Sequence, residues 1–365
     1  MATTTPFALY LTGQDGVTRD ATAMVRAISW SGNASTVSRV LSYSILQDED
    51  DVHLPVVSVE LGTANELLVD GQSVFGGIIT EHARDSAAFE IDCTANDWGY
   101  YLKLNDTFLK VDKQTPEEIT AQLCAELGLE VGELAKTGVK LSHNFLPDNY
   151  YSIIETLYGL AAAETGKEYV IQFRGKKIYV REKVQNSESI LLVAGSNLLR
   201  CTRKESVGEL KNRVKIYDDN DLVDSTVDDA SSQALYGVFQ TAILKSSYDD
   251  ATAQANQILK EKAVSTDLSM ECIGDPRLIS GNTVVVQEPI TKSYGLMWIK
   301  NDVHTWEKGI YRTKITASLE SLVDESAAKE AAENTKPAAS QAPPAAKSSA
   351  PMAGGGGGKW LAETR

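Results

Sequence analysis

Leu67-Leu68-Val69-Asp70-Gly71-Gln72-Ser73-Val74-Phe75 is the stretch on which the fold turns. Two apolar runs flank Asp70-Gly71, a dipeptide that tolerates the positive φ angles of a two-residue hairpin. The stretch therefore predicts two antiparallel strands. Downstream, Ile78 to Ala83 and Ala88 to Ala95 predict a second hairpin across Arg84-Asp85-Ser86. Upstream, Leu41, Tyr43 and Ile45 share one face of a strand by period-two spacing. Met24, Arg26, Ile28 and Trp30 share a face of the strand before it, and Val56 to Leu61 makes a further run. Short strands with regular punctuation are the pattern of an antiparallel barrel or sandwich.

Beyond residue 100 the period changes. Thr115-Pro116-Glu117-Glu118 starts a helix: Thr115 caps, Pro116 suits the first helical position, and Glu118 completes a capping box. Ile119, Leu123, Cys124 and Leu127 form its apolar face, and Gly128 ends it. A second helix runs from about Tyr150 to Glu164, with Ile153, Ile154, Leu157, Tyr158 and Ala161 as its stripe. Tyr169–Phe173, a turn at Arg174-Gly175, and Lys177–Arg181 then make a hairpin. β structure resumes near Leu198, with strands expected at Cys201–Ser206, Asn212–Tyr217, Leu222–Val227, Leu268–Ile273, Thr283–Val286, Leu296–Trp306 and Ile310–Leu319. A helix from about Asp249 to Val264 interrupts them. A faint repeat links the two β parts. Phe89, Cys93, Thr94 and Ala95 stand at the same offsets from His82 as Tyr311, Ile315, Thr316 and Ala317 do from His304.

Composition narrows the function. The 365 residues are 42% apolar and 23% charged, with 35 Lys+Arg against 50 Asp+Glu and a net charge of −15. Such a surface repels phosphate backbones and anionic lipid, which argues against sequence-specific nucleic-acid binding and stable membrane association. Cys93, Cys124, Cys201 and Cys272 form no Cys-x-x-Cys pair and have no His at ligand spacing. They read as buried free thiols of a reducing compartment. Met1 to Tyr10 lacks the features of a secretory signal, and no stretch approaches a membrane span, so synthesis in a cytoplasm, without export by the ordinary signal route, is expected. After Val323, Ala, Lys, Glu, Pro and Ser dominate, and Gly354 to Gly358 are consecutive glycines. Residues 327–365 carry +2 and residues 1–326 carry −17, so a weakly basic tether is attached to an acidic body.

Catalytic chemistry finds little support. His53, His82, His143 and His304 are scattered, without His-Glu-x-x-His. Gly71-Gln72-Ser73-Val74-Phe75 ends in Phe where a nucleophile elbow needs Gly, and reads as a hairpin. The glycine run before Lys359 imitates a phosphate loop, but Ala353 and Trp360 occupy places reserved for Gly and Ser/Thr. The acidic clusters Asp48–Asp51, Asp218–Asp221 and Asp228-Asp229 read as solvated turns. A calcium loop begun at Asp218 would have Val223 at its obligatory glycine. No catalytic residue, cofactor or metal ligand is assigned. Four tryptophans, Trp30, Trp98, Trp298 and Trp306, lie in or beside strands, where burial is the default. Trp360 stands beyond a glycine linker. With Lys359 and Leu361 it is the expected partner-binding segment.

Several segments, taken in order, carry a resemblance. They are Ile28-Ser29-Trp30-Ser31-Gly32 with Ser38-Arg39-Val40-Leu41; Val74-Phe75-Gly76-Gly77-Ile78-Ile79; and Thr94 through Leu102. Thr115 to Ile119, Leu134 to Val139, and Ala163-Glu164-Thr165-Gly166-Lys167 follow. Over about residues 20–320 the chain resembles the baseplate hub proteins of contractile phage tails and tail-like bacteriocins, the XkdQ/YqbQ-like hubs of the late control D and VgrG-type family. The proline/glycine arm is unlike the usual family ending.

The resemblance implies a β-rich α+β fold. It would comprise two tail-tube-like antiparallel β-barrel domains with an inserted small α/β module, a helical insertion and an extended C-terminal arm. The divisions are 1–100 for the first tube-like domain, 101–190 for the module, 191–322 for the second domain with a helical insertion near 246–265, and 323–365 for the arm. It further implies a non-enzymatic homotrimer in a virion or tail-particle baseplate. Its partners would be the tail tube or tube-initiator protein, the spike, the tape-measure protein and other baseplate proteins. Part of the −17 body charge is expected to line the central channel. Two other readings stay open: a tail-associated cell-wall hydrolase with 101–190 as its catalytic part, and a carbohydrate-binding tail adhesin.

Overall fold

The structure is a computed structural model and describes residues 7–46, 57–85, 89–183, 190–218, 222–245 and 251–318. His53, Asp48–Asp51, the arm 323–365 and its Lys359, Trp360 and Leu361 lie outside the described residues.

The first part of the chain contributes β1 (Phe7–Thr12), β2 (Thr18–Asp20), β3 (Val25–Asn33), β4 (Val40–Leu46), β5 (Ala64–Val69), β6 (Gln72–Arg84) and β7 (Glu90–Asp97). The β5–β6 turn is the hairpin read from Asp70-Gly71. Its central residues have φ of 51° and 75°, the twist that suits two right-twisted strands. Leu41, Tyr43 and Ile45 point inward together, alongside Ile28, Trp30, Phe75 and Ile79. Arg26 departs from its expected face. The β3–β4 register shifts between Val25 and Ala27, and the exposed Arg26 pairs with Glu90 instead. Residues 57–61 pack Val57 and Val59 inward but form no strand.

There follow α1 (Gly99–Leu104), β8 (Asp106–Gln114), α2 (Pro116–Glu126), β9 (Glu130–Leu134), β10 (Leu141–Asn149), α3 (Tyr150–Thr165), β11 (Tyr169–Arg174) and β12 (Lys177–Glu182). The capping box of α2 is present, with Glu118 N donating to Thr115 Oγ1 at 3.4 Å and Thr115 N to Glu118 Oε2 at 3.0 Å. Asn149 caps α3, and Gly166, at φ 70°, ends it. Ile119, Leu123, Ile153, Ile154 and Leu157 share a core with Phe173 and Ile178 from the β11–β12 hairpin, and Val37 enters it from the first part. The β8–β10 pair is not legible in the sequence, because β8 buries only Val111 and β10 has few apolar residues and carries Pro147.

The last part contains β13 (Ile190–Val193), β14 (Leu198–Ser206), β15 (Arg213–Tyr217), β16 (Val223–Asp228), α4 (Ala230–Tyr236), β17 (Gln240–Leu244), α5 (Ala251–Glu261), β18 (Ser265–Ile273), β19 (Thr283–Glu288), β20 (Ser293–Glu307) and β21 (Ile310–Ser318). Between β14 and β18 lie a small sheet, β16-β15-β17, and the helices α4 and α5. They occupy the place of the short β3–β4 connection, residues 34–39. The expected helix is α5, and it packs on β15 through Ala251 and Ala255.

The two β parts share a strand order. The first runs β3-β4-β7-β6-β5-β1 and the second β14-β18-β21-β20-β19-β13. Corresponding neighbours are antiparallel, save that β13 meets β19 in parallel where β1 meets β5 antiparallel. The correspondence reaches single residues. A bulge follows Ile79 opposite Ala95 in one part, and Ile299 opposite Ala317 in the other. Gly62 and Gly281, at φ 82° and 81°, each donate N–H to the carbonyl of that isoleucine, at 2.8 and 2.9 Å. The repeat counted from the histidines pairs the right strands but is two residues out on the first of them. Cys93 and Ile315 do correspond, but His82 corresponds to Asp302, because the β20–β21 hairpin holds two more residues between those partners than the β6–β7 hairpin does.

The expectation of two closed barrels is not met. The strands of both parts join into one 13-stranded sheet, and no closed barrel forms among the described residues. β20 runs on past its pairing with β19 and hydrogen-bonds to β3, so that the second unit continues the first.

Candidate assembly joint between the two β units

The pairing of β20 with β3 runs from Asn301 opposite Asn33 to Glu307 opposite Ala27. Along this part of β20, Asp302, His304 and Trp306 point inward and the residues between them outward. A charge at an inward phase demands a partner, and Arg39 supplies it from just before β4. Arg39 Nη1 donates to Asp302 Oδ1 at 3.1 Å, and Nη2 pairs with Oδ2. The guanidinium also lies 4.1 Å from the ring centroid of Trp30, whose ring is tilted by 32° against His304 at a centroid distance of 4.6 Å. Ser280 N donates to Asp302 Oδ1 at 2.6 Å. The side chains of Asp302 and His304 are 0% exposed.

The electrostatics follow from this burial. Burial opposes ionisation of Asp302, but Arg39 and His304 outweigh it and hold the carboxyl below the usual range. Burial lowers His304 below the ordinary histidine value despite the neighbouring carboxylate, so the imidazole is neutral at neutral pH. Its Nδ1 lies 2.8 Å from Tyr311 Oη and 3.1 Å from Thr313 Oγ1. Histidine beside aspartate, tyrosine and threonine has the composition of an acid–base set. All four are buried within the sheet, His304 and Thr313 at 0% exposure and Tyr311 at 8%. Trp306 stacks on Tyr311 at 4.1 Å, and both enter the core of the first unit with Leu9, Leu41 and Phe75.

A second buried carboxylate sets where the chain leaves the first unit. Asp97 accepts from Arg39 N and Gly99 N, each at 2.9 Å, and burial raises it to about 7 against those bonds. The α/β module then reaches back across the joint. Arg181 Nη2 donates to Gly281 O at 3.0 Å. Burial lowers this arginine to about 10. Lys183 lies 4.8 Å from the Trp298 ring and pairs with Glu168 at 2.6 Å.

The other residues singled out from sequence are dispersed. His82 Nδ1 lies 2.8 Å from Val59 O, and His143 packs edge-on to Phe145. Asp218 Oδ1 accepts from Leu222 N at 2.8 Å, Asp228 pairs with Arg213 at 2.6 Å, and Asp229 caps α4. Cys93, Cys124 and Cys272 are buried free thiols, and burial pushes them up to about 11, 12 and 12. Cys201 is half-buried. Trp30 and Trp306 are buried, whereas Trp98 and Trp298 are half-buried. Among the described residues no group of His, Cys, Asp and Glu could hold a metal, and no helix is long and apolar enough to cross a membrane. Sequence reasoning missed Arg39 and Asp302. Their one local signal was the inward phase of Asp302 on a long strand.

This fold, a doubled β unit joined edge to edge and bridged by an α/β module, is similar to that of solved phage-tail proteins. The 43 kDa tail protein of prophage MuSo2 from Shewanella oneidensis is similar over 85% of this chain and 97% of its own, with 11% identity and a TM-score of 0.67. The tail protein from Neisseria meningitidis MC58 is similar over 85% and 96%, with 13% identity and a TM-score of 0.61. Prophage tail protein gp18 from Listeria monocytogenes EGD-e is similar over 89% and 98%, with 11% identity and a TM-score of 0.50. No curated protein matches the sequence. The family described as YQBQ-like matches residues 28–318, and the chain belongs to that family. The resemblance carried by the ordered segments is thereby borne out.

Proposed function

We propose that this chain is a structural hub of a contractile-tail baseplate. Three copies would present six related β units, matching a sixfold tail tube on one side and a threefold spike on the other. The observation that carries this reading is the doubled strand order, with its shared bulge and shared glycine turn. Family membership and the tail-protein fold support it. In this reading residues 1–100 and 191–322 are the tube-like domains and 101–190 the module that braces them.

The work is mechanical. The hub ends the tube, holds the spike and receives the end of the tape-measure protein, and contraction drives all of them forward together. A buried Arg39–Asp302 pair and a continuous ladder suit a joint that must carry force. Part of the −17 body charge would line the channel, where like charge keeps a passing polyanion from sticking. The arm would dock on a neighbouring protein through Lys359, Trp360 and Leu361.

Expression of tail particles without this chain tests the role. We expect tubes or baseplates that lack the spike, restored by supplying the chain. Complete, spiked particles in its absence would refute a hub function. The hydrolase reading is checked by incubating the protein with peptidoglycan, where no release of soluble fragments is expected.

A further inference from the structure

The internal joint shows what the outer edges of the chain are shaped to accept. One edge of β20 is used twice: Ser293–Trp298 holds β19, and Asn301–Glu307 holds β3. Its counterpart β6 holds β5 along Gln72–Ile78. β6 then continues through Glu81–Arg84, and among the described residues no strand pairs with that stretch opposite β7. At the end of the 13-stranded sheet stands β14, the counterpart of β3. It pairs with β18, and among the described residues no strand covers its other edge. Its residues 202–205 are exposed. Each open edge is thus one half of a pairing that the chain already makes within itself.

We infer that β14 of one copy pairs antiparallel with Glu81–Arg84 of a second copy, repeating the β3–β20 joint between chains. The occupant of each edge is the same protein, and the contact is head-to-tail, so that it closes a ring or propagates. The inference rests on the hub reading only for the number of copies that closes the ring. The repeat fixes the register. Ile79 corresponds to Ile299, and Trp30, opposite Leu41, corresponds to Arg203, opposite Leu268. Transferring the internal pairs puts Glu81 opposite Ser206, His82 opposite Glu205, Ala83 opposite Lys204, and Arg84 opposite Arg203. Lys204 becomes a diagonal neighbour of Glu81, within reach of a cross-strand ion pair. Arg84 and Arg203 face each other, and each already has a carboxylate, Glu60 at 3.3 Å and Glu205 at 2.6 Å.

The two joints differ in strength. The internal one is built on Trp30, His304 and a buried ion pair. The positions equivalent to Trp30, Arg39, Asp302 and His304 are Arg203, Thr266, His82 and Arg84, all of them polar. The joint between chains is therefore the weaker and more salt-sensitive one. Exposed edges left unpaired are ready templates for strand addition, and this one is guarded by charge until a neighbour is held in place.

Cysteine pairing tests the register in the full-length chain. In a Cys201→Ser background, Ala83→Cys and Lys204→Cys are introduced singly and together, and tail particles and concentrated protein are mildly oxidised. The double variant should lose its monomer band on a non-reducing gel and give linked chains ending at the closed ring. A mixture of the two single variants should stop at dimers, and either alone should stay monomeric. Unchanged circular dichroism and thermal midpoint confirm folding. A trimer seen by native mass spectrometry but lacking the 83–204 link overturns this strand pairing and leaves the hub reading standing. A chain that is monomeric within particles overturns both.

Discussion

Asp302 is a carboxylate held inside a β sheet by one arginine from the other half of the chain. Removing either partner leaves a buried charge uncompensated. Arg39→Met or Asp302→Leu alone should therefore cost roughly 3–5 kcal/mol in urea unfolding. The double replacement should recover most of that loss, because an apolar pair of similar volume carries no desolvation penalty. A double variant as unstable as the worse single one would show that the charge pair itself holds the joint. The two buried aspartates also give opposite pH slopes. Asp302, lowered when folded, adds stability above its unfolded value of about 4 and loses it as pH falls. Asp97, raised to about 7, adds stability below about 4 and loses it as pH rises through 7. Asp97→Asn should flatten the decline in thermal midpoint between about pH 4 and about pH 7. An unchanged slope would assign that decline to other groups.

Gly62 and Gly281 make the same turn in the two units and have different neighbours. Both hold φ near 80°, so alanine at either should cost roughly 1–2 kcal/mol from backbone strain. A Cβ at Gly62 meets nothing within 4 Å, whereas at Gly281 it comes within 2.7 Å of Val170 Cγ1 in the α/β module. Gly281→Ala should therefore destabilise more than Gly62→Ala, and the excess reports how tightly the module is docked. Equal losses would mean that the module yields freely. Thr115→Ala, which removes the α2 cap, should cost about 1 kcal/mol. What was legible at this scale was contiguous: the Asp70-Gly71 turn, the Thr115–Glu118 box and the Arg174-Gly175 hairpin. What was not legible lacked either an apolar period or local contact. α4 buries no residue, and β17 pairs in parallel with β15 across a helix. The β3–β20 ladder joins residues that share no local pattern. Length alone hinted at it, since β20 exceeds what one unit can cover.

At the scale of the whole molecule, the chain is one β unit used twice, with an α/β module between the copies and a small α/β insertion in the second. The repeat was faintly visible in Cys93-Thr94-Ala95 and Ile315-Thr316-Ala317, because a bulge and a core alanine constrain those positions in both units. It was blurred elsewhere because the two units bury different residues at the joint. Deleting residues 354–365 should reduce particle assembly several-fold while leaving the melting midpoint of the purified body unchanged; normal particle yield would remove the docking role of Trp360. The most direct measurement is a cryo-electron microscopy reconstruction of the tail tip without imposed symmetry. It should show three copies of this chain as six alternating β units around one axis. A single copy, or six copies with one unit each in the ring, would contradict the account.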